Sequence, residues 1–336
     1  MIRRDKQKRK EDGAVLLTTI LVMSLMAALA VAILDDVRFA VKRTGNVQAY
    51  AQADWYVEGA QDYAFSYLSL QVAGVSNEAL NTAVLSAEPI IFPYEGGAMA
   101  LTVKDGTRCF PLGALPSEPG RRVFRQLLVL LGWDQASAAR LTSIAVDWQD
   151  ADNQALPDGA EDYTYLGRQP AYRTPGRPFA SVTELRALET MTEPQYQILR
   201  RFTCAHNLNT GRETAQRINV NTLTPAYMPL LAAVLGGDDA AKVSARLITE
   251  RPAGGYADEA AFLAAPALTD FSLKEAQLEL LTYAPDYIWI EADVSYLQAR
   301  RMAAFEFSVA EGVVERLYRG FGDEVLRPEL DISPDE

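Results

Sequence analysis

The feature that most limits this 336-residue chain is one uncharged run, "AVLLTTILVMSLMAALAVAIL", from Ala14 to Leu34. As a helix its 21 residues reach about 31 Å, enough to cross the hydrocarbon core of a bilayer. In lipid the backbone must satisfy its own hydrogen bonds, so a helix is the form such a run takes. Its flanks differ in charge. Arg3, Arg4, Lys6, Lys8, Arg9 and Lys10 precede it, and Asp35 and Asp36 follow. The positive-inside rule keeps the N-terminus in the cytoplasm and sends the body across the membrane.

A secretory signal carries its small-residue cleavage site after the apolar run. Here the run ends in "AILDDVRFA", a weak site, while a glycine, Gly13, stands before it. One reading is an uncleaved single-pass anchor. The other uses the order basic leader, glycine, apolar helix, which resembles a type IV prepilin signal. There cleavage follows the glycine and the helix stays on the mature protein. Beyond Leu34 the chain keeps a loosely helical pattern at Val37, Val41, Tyr50, Trp55, Ala60, Tyr63 and Leu68, with Gly45 as a position for a bend. This predicts one long helix, half in lipid and half packed on a soluble domain. A membrane helix followed by a separate linker helix is the alternative.

Apolar residues make up 49% and charged residues 23%, so the body can build a core. The length suits two globular pieces, or one domain with a large insertion. Net charge is −12, and the first 13 residues carry a surplus of three positive charges, so without them the chain stands at −15. An acidic body gains nothing from counterion release and argues against nucleic acid as a partner. His206 is the one histidine, which argues against a histidine-built zinc site or a pH switch. No nucleophile–base constellation stands out, so no enzyme is expected. Cys109 and Cys204 form a disulfide in an oxidising compartment or remain two buried thiols; both readings stay open.

Alternation over Met99–Val103 predicts a strand, and "KDGT" at 104–107 a tight turn into a second strand. "DYIWIEADVSYL", "RMAAFEFSVA" and "VVERLYRGF" read as further strands of the same antiparallel sheet. Between them the texture is helical and rich in Ala and Leu. The fold class is therefore α+β: a long N-terminal helix on an antiparallel sheet, with a large all-helical insertion. The boundaries read 1–13 leader, 14–34 membrane half of the helix, 35–113 first part of the sheet domain, 114–284 insertion, 285–325 C-terminal strands and 326–336 disordered tail.

"VDWQDADNQALPDGAEDYTYLG" gathers Asp147, Asp150, Asp152, Asn153, Asp158, Glu161 and Asp162. Charge of one sign at this density repels itself and folds tightly only around a counter-cation. All donors are oxygens, which selects a hard ion, and Ca²⁺ accepts six to eight of them flexibly. The candidate ligands are Asp147, Asp150, Asp152, Asn153, Glu161 and Asp162. The twelve-residue EF-hand pattern is missing. A solvated acidic loop is the alternative, but Trp148, Tyr163 and Tyr165 in the same stretch call for burial.

Residues 217–263, opening with "RINVNT", resemble a helix-hairpin-helix unit, with Asn221 or Thr222 as cap of the helix near Thr224–Pro225 and Gly236–Gly237 at the hairpin. Asp238 and Asp239 follow at once, against phosphate contact. The segment at 177–202 looks like a looser copy. A structural role is expected, with a membrane-anchored DNA-uptake protein as the alternative function.

The leader ending at Gly13, "GGAMALTVKDGTRCFPL", "VDWQDADNQALPDGAEDYTY", "RPFASVTELRAL" and "INVNT" together resemble the K-type minor pseudopilins of bacterial type II secretion, the general secretion pathway protein K family. The resemblance covers nearly the whole chain. It implies a non-enzymatic, pilin-like protein of the bacterial inner membrane with a periplasmic body and calcium on the acidic segment. It also implies cleavage by prepilin peptidase after Gly13 and methylation of the new amine of Ala14. The implied partners are the I- and J-type minor pseudopilins and the major pseudopilin, at the tip of a pseudopilus. A type IV pilus minor pilin is the neighbouring reading. Most pilins carry Glu at the fifth mature position, which here is Thr18. A carboxylate in lipid is costly unless paired. A subunit that enters the fibre first finds no amine ahead of it, so Thr18 fits an initiating subunit. Cys109-Phe110-Pro111-Leu112 stands where K-type proteins commonly carry Asn-Leu-Asn.

Overall fold

The structure is a computed structural model. It describes residues 2–72, 76–85, 88–206, 216–309, 312–322 and 325–327, with side chains from Ala14 onward. Met1 and residues 328–336 of the expected tail lie outside the described residues.

Helix α1 runs from Ile2 to Val72 without a break, 71 residues through Gly45. The separate linker helix is thereby excluded. Large apolar side chains along its first half, such as Leu17 and Met23, face outward at 70% exposure, as a lipid-facing segment requires. From Ala49 the helix buries a stripe at Ala49, Ala53, Val57, Ala60, Ala64, Leu68 and Val72. The expected inward positions Tyr50, Trp55 and Tyr63 are corrected: Trp55 is 72% exposed and both tyrosines are exposed. Alanines admit the sheet to short range, and bulky rings on that stripe would hold it off.

Helix α2 (Asn77–Leu85) precedes strands β1 (Ile90–Tyr94) and β2 (Gly97–Asp105). Near the C-terminus follow β7 (Tyr287–Tyr296), β8 (Ala299–Ser308) and β9 (Glu315–Phe321). They form one five-stranded antiparallel sheet in the order β1-β2-β7-β8-β9. Its inner face, including Leu101, Ile288, Ile290, Val294, Phe305 and Phe307, closes on the alanine stripe.

The sequence between β2 and β7 folds as helices with a core of its own. In chain order it contains β3 (Phe110–Pro111), α3 (Glu118–Leu130), α4 (Gln135–Asp147), α5 (Asp162–Leu166), α6 (Glu193–Leu199), β4 (Thr203–Cys204) and β5 (Ile218–Asn219). Then come α7 (Met228–Leu235), α8 (Ala240–Thr249), α9 (Glu259–Leu263), α10 (Glu275–Leu278) and β6 (Leu281–Thr282). The expected second strand after "KDGT" is corrected. Both sides of β2 are already taken, by β1 and β7, so β3 instead pairs in parallel with β4 inside the insertion. Asp105 accepts the Thr107 N–H at 2.7 Å, and the Thr107 hydroxyl accepts the N–H groups of Asp286 and Tyr287. The turn thus ties the entry of the insertion to its exit.

The capping role expected of "INVNT" is also corrected. Asn221 donates to the carbonyls of Tyr256 and Tyr283, 2.8 Å each. Thr222 donates its hydroxyl to Asp105, and Asn219 donates to Asp105 at 2.8 Å and to Asn81 at 3.0 Å. These side chains fasten the insertion to β2 and α2. The cap before Pro225 is Thr224, with no side-chain bond. Gly236 and Gly237, at φ of 60° and 88°, break α7 from α8, a backbone that side-chain-bearing residues resist. The expected disorder from residue 326 is corrected for its first two positions, since Leu326 and Arg327 are packed and hydrogen-bonded.

Candidate metal centre

Helix α4 is started by Asp134, whose carboxylate accepts the N–H groups of Ala136 and Ser137. Its last residue is Asp147, which is fully buried. The chain turns through Asp150 and returns at Glu161, the residue preceding α5. One oxygen from each of Asp147, Asp150 and Glu161 lies within 4.8 Å of the other two. Asp147 accepts the Leu156 N–H on both oxygens, at 3.1 and 3.2 Å. Both oxygens of Glu161 and one of Asp150 are buried with no hydrogen-bond partner.

Three carboxylates converging in a dry pocket resist ionisation. Burial, followed by the charges of Asp147 and Asp150, pushes Glu161 up to about 7, with the Asp162 N–H offsetting part of the rise. Burial raises Asp147 and Asp150 as well, with Asp152 adding to both. Unpartnered buried carboxylate oxygens are rare unless something binds them. An oxygen-only donor set of this charge suits a hard divalent cation such as Ca²⁺. Asp147, Asp150 and Glu161 would hold the ion, and it would supply the countercharge that lets all three ionise. Gly159 belongs to the same cradle, because a Cβ there would run into the Asp147 carboxylate.

The other candidates sit elsewhere. Asp152 is exposed and accepts the Gln154 N–H at 2.8 Å, and Asn153 is exposed. Asp162 points away to Arg173 (2.6 Å) and the Thr174 N–H (2.9 Å), closing the 162–174 loop. Sequence reasoning missed Glu184. It accepts the Trp148 indole N–H at 3.2 Å and the N–H groups of Ala180 and Ser181. Trp148 in turn meets Tyr165 edge-on at 5.3 Å. The signal was present in Ser181-Val-Thr-Glu184, a capping-box spacing that the structure completes.

Cys109 and Cys204 are disulfide-bonded, with Cα atoms 5.7 Å apart. They join the two ends of the β3–β4 pair. His206 is buried and its Nδ1 lies 2.7 Å from Glu306 Oε1. At the membrane end, the Thr18 hydroxyl donates to the Val15 carbonyl at 2.9 Å, so its polar group needs no partner in lipid. The α7–α8 connection carries Asp238 and Asp239.

Residues 108–207 and 218–282 match models of the family described as Type II secretion system (T2SS), protein K. The chain is 31% identical over 288 residues to the type II secretion system protein K of Klebsiella pneumoniae, covering 83% of this chain and 87% of that one. It is 27% identical over 357 aligned positions to the protein of that name from Dickeya chrysanthemi, covering 93% and 98%. Among solved structures it is similar to a chain of the GspK-GspI-GspJ complex from the enterotoxigenic Escherichia coli Type 2 Secretion System. The TM-score is 0.72 at 26% identity, over 84% of this chain and 99% of that chain. A helix long and apolar enough to span a membrane, an antiparallel sheet packed on its far half and a helical insertion agree with these matches: the chain belongs to the type II secretion system protein K family and is a minor pseudopilin of type II secretion.

Proposed function

We propose that this minor pseudopilin sits at the tip of the pseudopilus and initiates its assembly. The supporting observation is the placement of the insertion. Gln298, in the β7–β8 turn, donates to Asn46 on α1 at 2.9 Å, while Arg301 and Arg316 pair with Asp54 and Asp62 further along α1. The β7–β8 turn is thus the membrane-proximal end of the sheet. The insertion leaves at Asp105 and returns at Tyr287, a strand length of ten residues away. It therefore stands on the membrane-distal end, a head above the pilin body, which suits a subunit with none stacked ahead of it. Thr18 agrees with this, since a first subunit needs no buried acid.

The partners are the I- and J-type minor pseudopilins, in keeping with the complex formed by the similar GspK chain. The major pseudopilin follows below. Prepilin peptidase cuts after Gly13, the new amine of Ala14 is methylated, and the body lies in the periplasm. Calcium binds at Asp147, Asp150 and Glu161 and fixes the loop between α4 and α5. No nucleic acid is involved.

The test is co-purification from detergent of the full chain with its two minor partners, with mass spectrometry of the N-terminus. Recovery of a ternary complex whose K-type subunit begins at methylated Ala14 supports the proposal. A chain that purifies alone with Met1 intact, and whose deletion leaves secretion unchanged, refutes it.

A further inference from the structure

We propose that Val325–Arg327 forms a latch that holds the helical insertion against the sheet, so that the C-terminal segment decides whether the two cores move as one body.

The sheet side of the latch is built from four residues on three strands, Lys104, Trp289, Glu291 and Glu306, and from Gly106 just past β2. The Arg327 backbone N–H donates to Glu291 on β7 at 2.7 Å, and its carbonyl accepts from Lys104 on β2 at 3.0 Å. Lys104 and Glu291 also pair with each other at 2.9 Å, so the peptide closes a charged triangle that is largely shielded from water. The Arg327 guanidinium lies 4.0 Å over the Trp289 ring, donates to the Gly106 carbonyl at 3.0 Å and reaches Glu306 on β8 at 3.4 Å. The insertion side is made by two residues flanking β4. Arg200 donates to the Leu326 carbonyl at 2.8 Å, and His206 approaches the same Glu306 oxygen at 2.7 Å.

Glu306 is fully buried. It belongs to the sheet, yet the groups facing it come from the insertion (His206) and from the C-terminal segment (Arg327). Without Arg327 a buried carboxylate at the joint loses its guanidinium neighbour, and the Gly106 carbonyl, where the chain enters the insertion, loses a donor. Val325 and Leu326 meanwhile line a cavity of about 130 Å³ between Tyr196 and Ala180 of the insertion and Trp289 and Tyr318 of the sheet. Withdrawing them would open that cavity to water. Each core is complete without the latch, because neither apolar cluster includes residues 325–327. The segment therefore governs the docking of two bodies that each fold without it. It also comes after β9, so it adds a second fastening to the one at the neck of the insertion.

Hydrogen–deuterium exchange on the full chain in detergent, with calcium present, tests this against three variants: a chain ending at Gly322, a chain ending at Arg327, and Arg327→Ala. The chain ending at Gly322 and Arg327→Ala should exchange about tenfold faster, or more, at 104–106, 200–206 and 289–291, with the interiors of both cores unchanged. The chain ending at Arg327 should match the intact protein. Unchanged exchange in the first two variants overturns the proposal. So does a uniform rise through both cores, which would make the segment part of the fold itself, or a loosened joint in the chain ending at Arg327, which would put the latch further on.

Discussion

At the residue scale, Glu161 concentrates the chemistry. Buried beside Asp147 and Asp150, it destabilises the metal-free fold once ionised, and a bound cation reverses that effect. Glu161→Gln should raise the melting temperature measured in chelator and abolish the rise expected of the native protein on adding calcium. With calcium at 100 times its dissociation constant that rise reflects about 2.7 kcal/mol. A native melting curve indifferent to calcium would remove the metal. The pH dependence has a definite sign. In the folded metal-free protein Glu161 titrates at about 7, above an unfolded glutamate at about 4.3. Between those values the folded state holds more protons, so in chelator stability should fall as pH rises through that window. Calcium should flatten the slope. Denaturant titrations at pH 5 and pH 7.5, with and without calcium, read this directly. The three converging acids were legible as part of a dense acidic stretch. Which acids converge was not, because Asp162 is drawn off by Arg173 and Thr174 from a loop that sequence spacing does not place.

At the element scale, α1 packs through alanine. Ala53→Leu should cost about 1–3 kcal/mol in the folded body by overpacking the seam against β8. Trp55→Ala, at an exposed position, should leave stability within about 0.5 kcal/mol. Equal effects in denaturant unfolding would contradict the packing described. The length of α1 was plain from its apolar run and helical pattern. Its buried face was not, because Tyr50, Trp55 and Tyr63 advertise hydrophobicity more loudly than the alanines between them. β1 escaped notice for a similar reason: "IIFPY" contains a proline, tolerated only because this is an edge strand. β3 was misassigned because strand propensity says nothing about which neighbours are already occupied.

At the scale of the whole molecule, two cores are joined by polar groups. Asp105, Asn219, Thr222 and Asn81 form a buried network at the neck of the insertion. Asp105→Ala removes the acceptor of three donors, the Thr107 N–H, the Asn219 amide and the Thr222 hydroxyl, and should cost about 1–3 kcal/mol for each one left unpaired. Its unfolding should separate into two transitions, one per core, where the native chain should show one. A single unshifted transition would show that the network does not couple them. The motif "INVNT" stood out in the sequence, but its work was invisible there, since its partners lie from 35 residues away, at Tyr256, to 138 residues away, at Asn81. The sequence by itself determined the membrane-length helix, the order of sheet and insertion and the carboxylate chemistry of one loop. Those follow from local composition and period, which a linear chain displays. The tertiary structure alone decided which acids meet, which face of α1 is buried and what clamps the insertion to the sheet. Each depends on distances between segments far apart in the chain, and no local pattern encodes them.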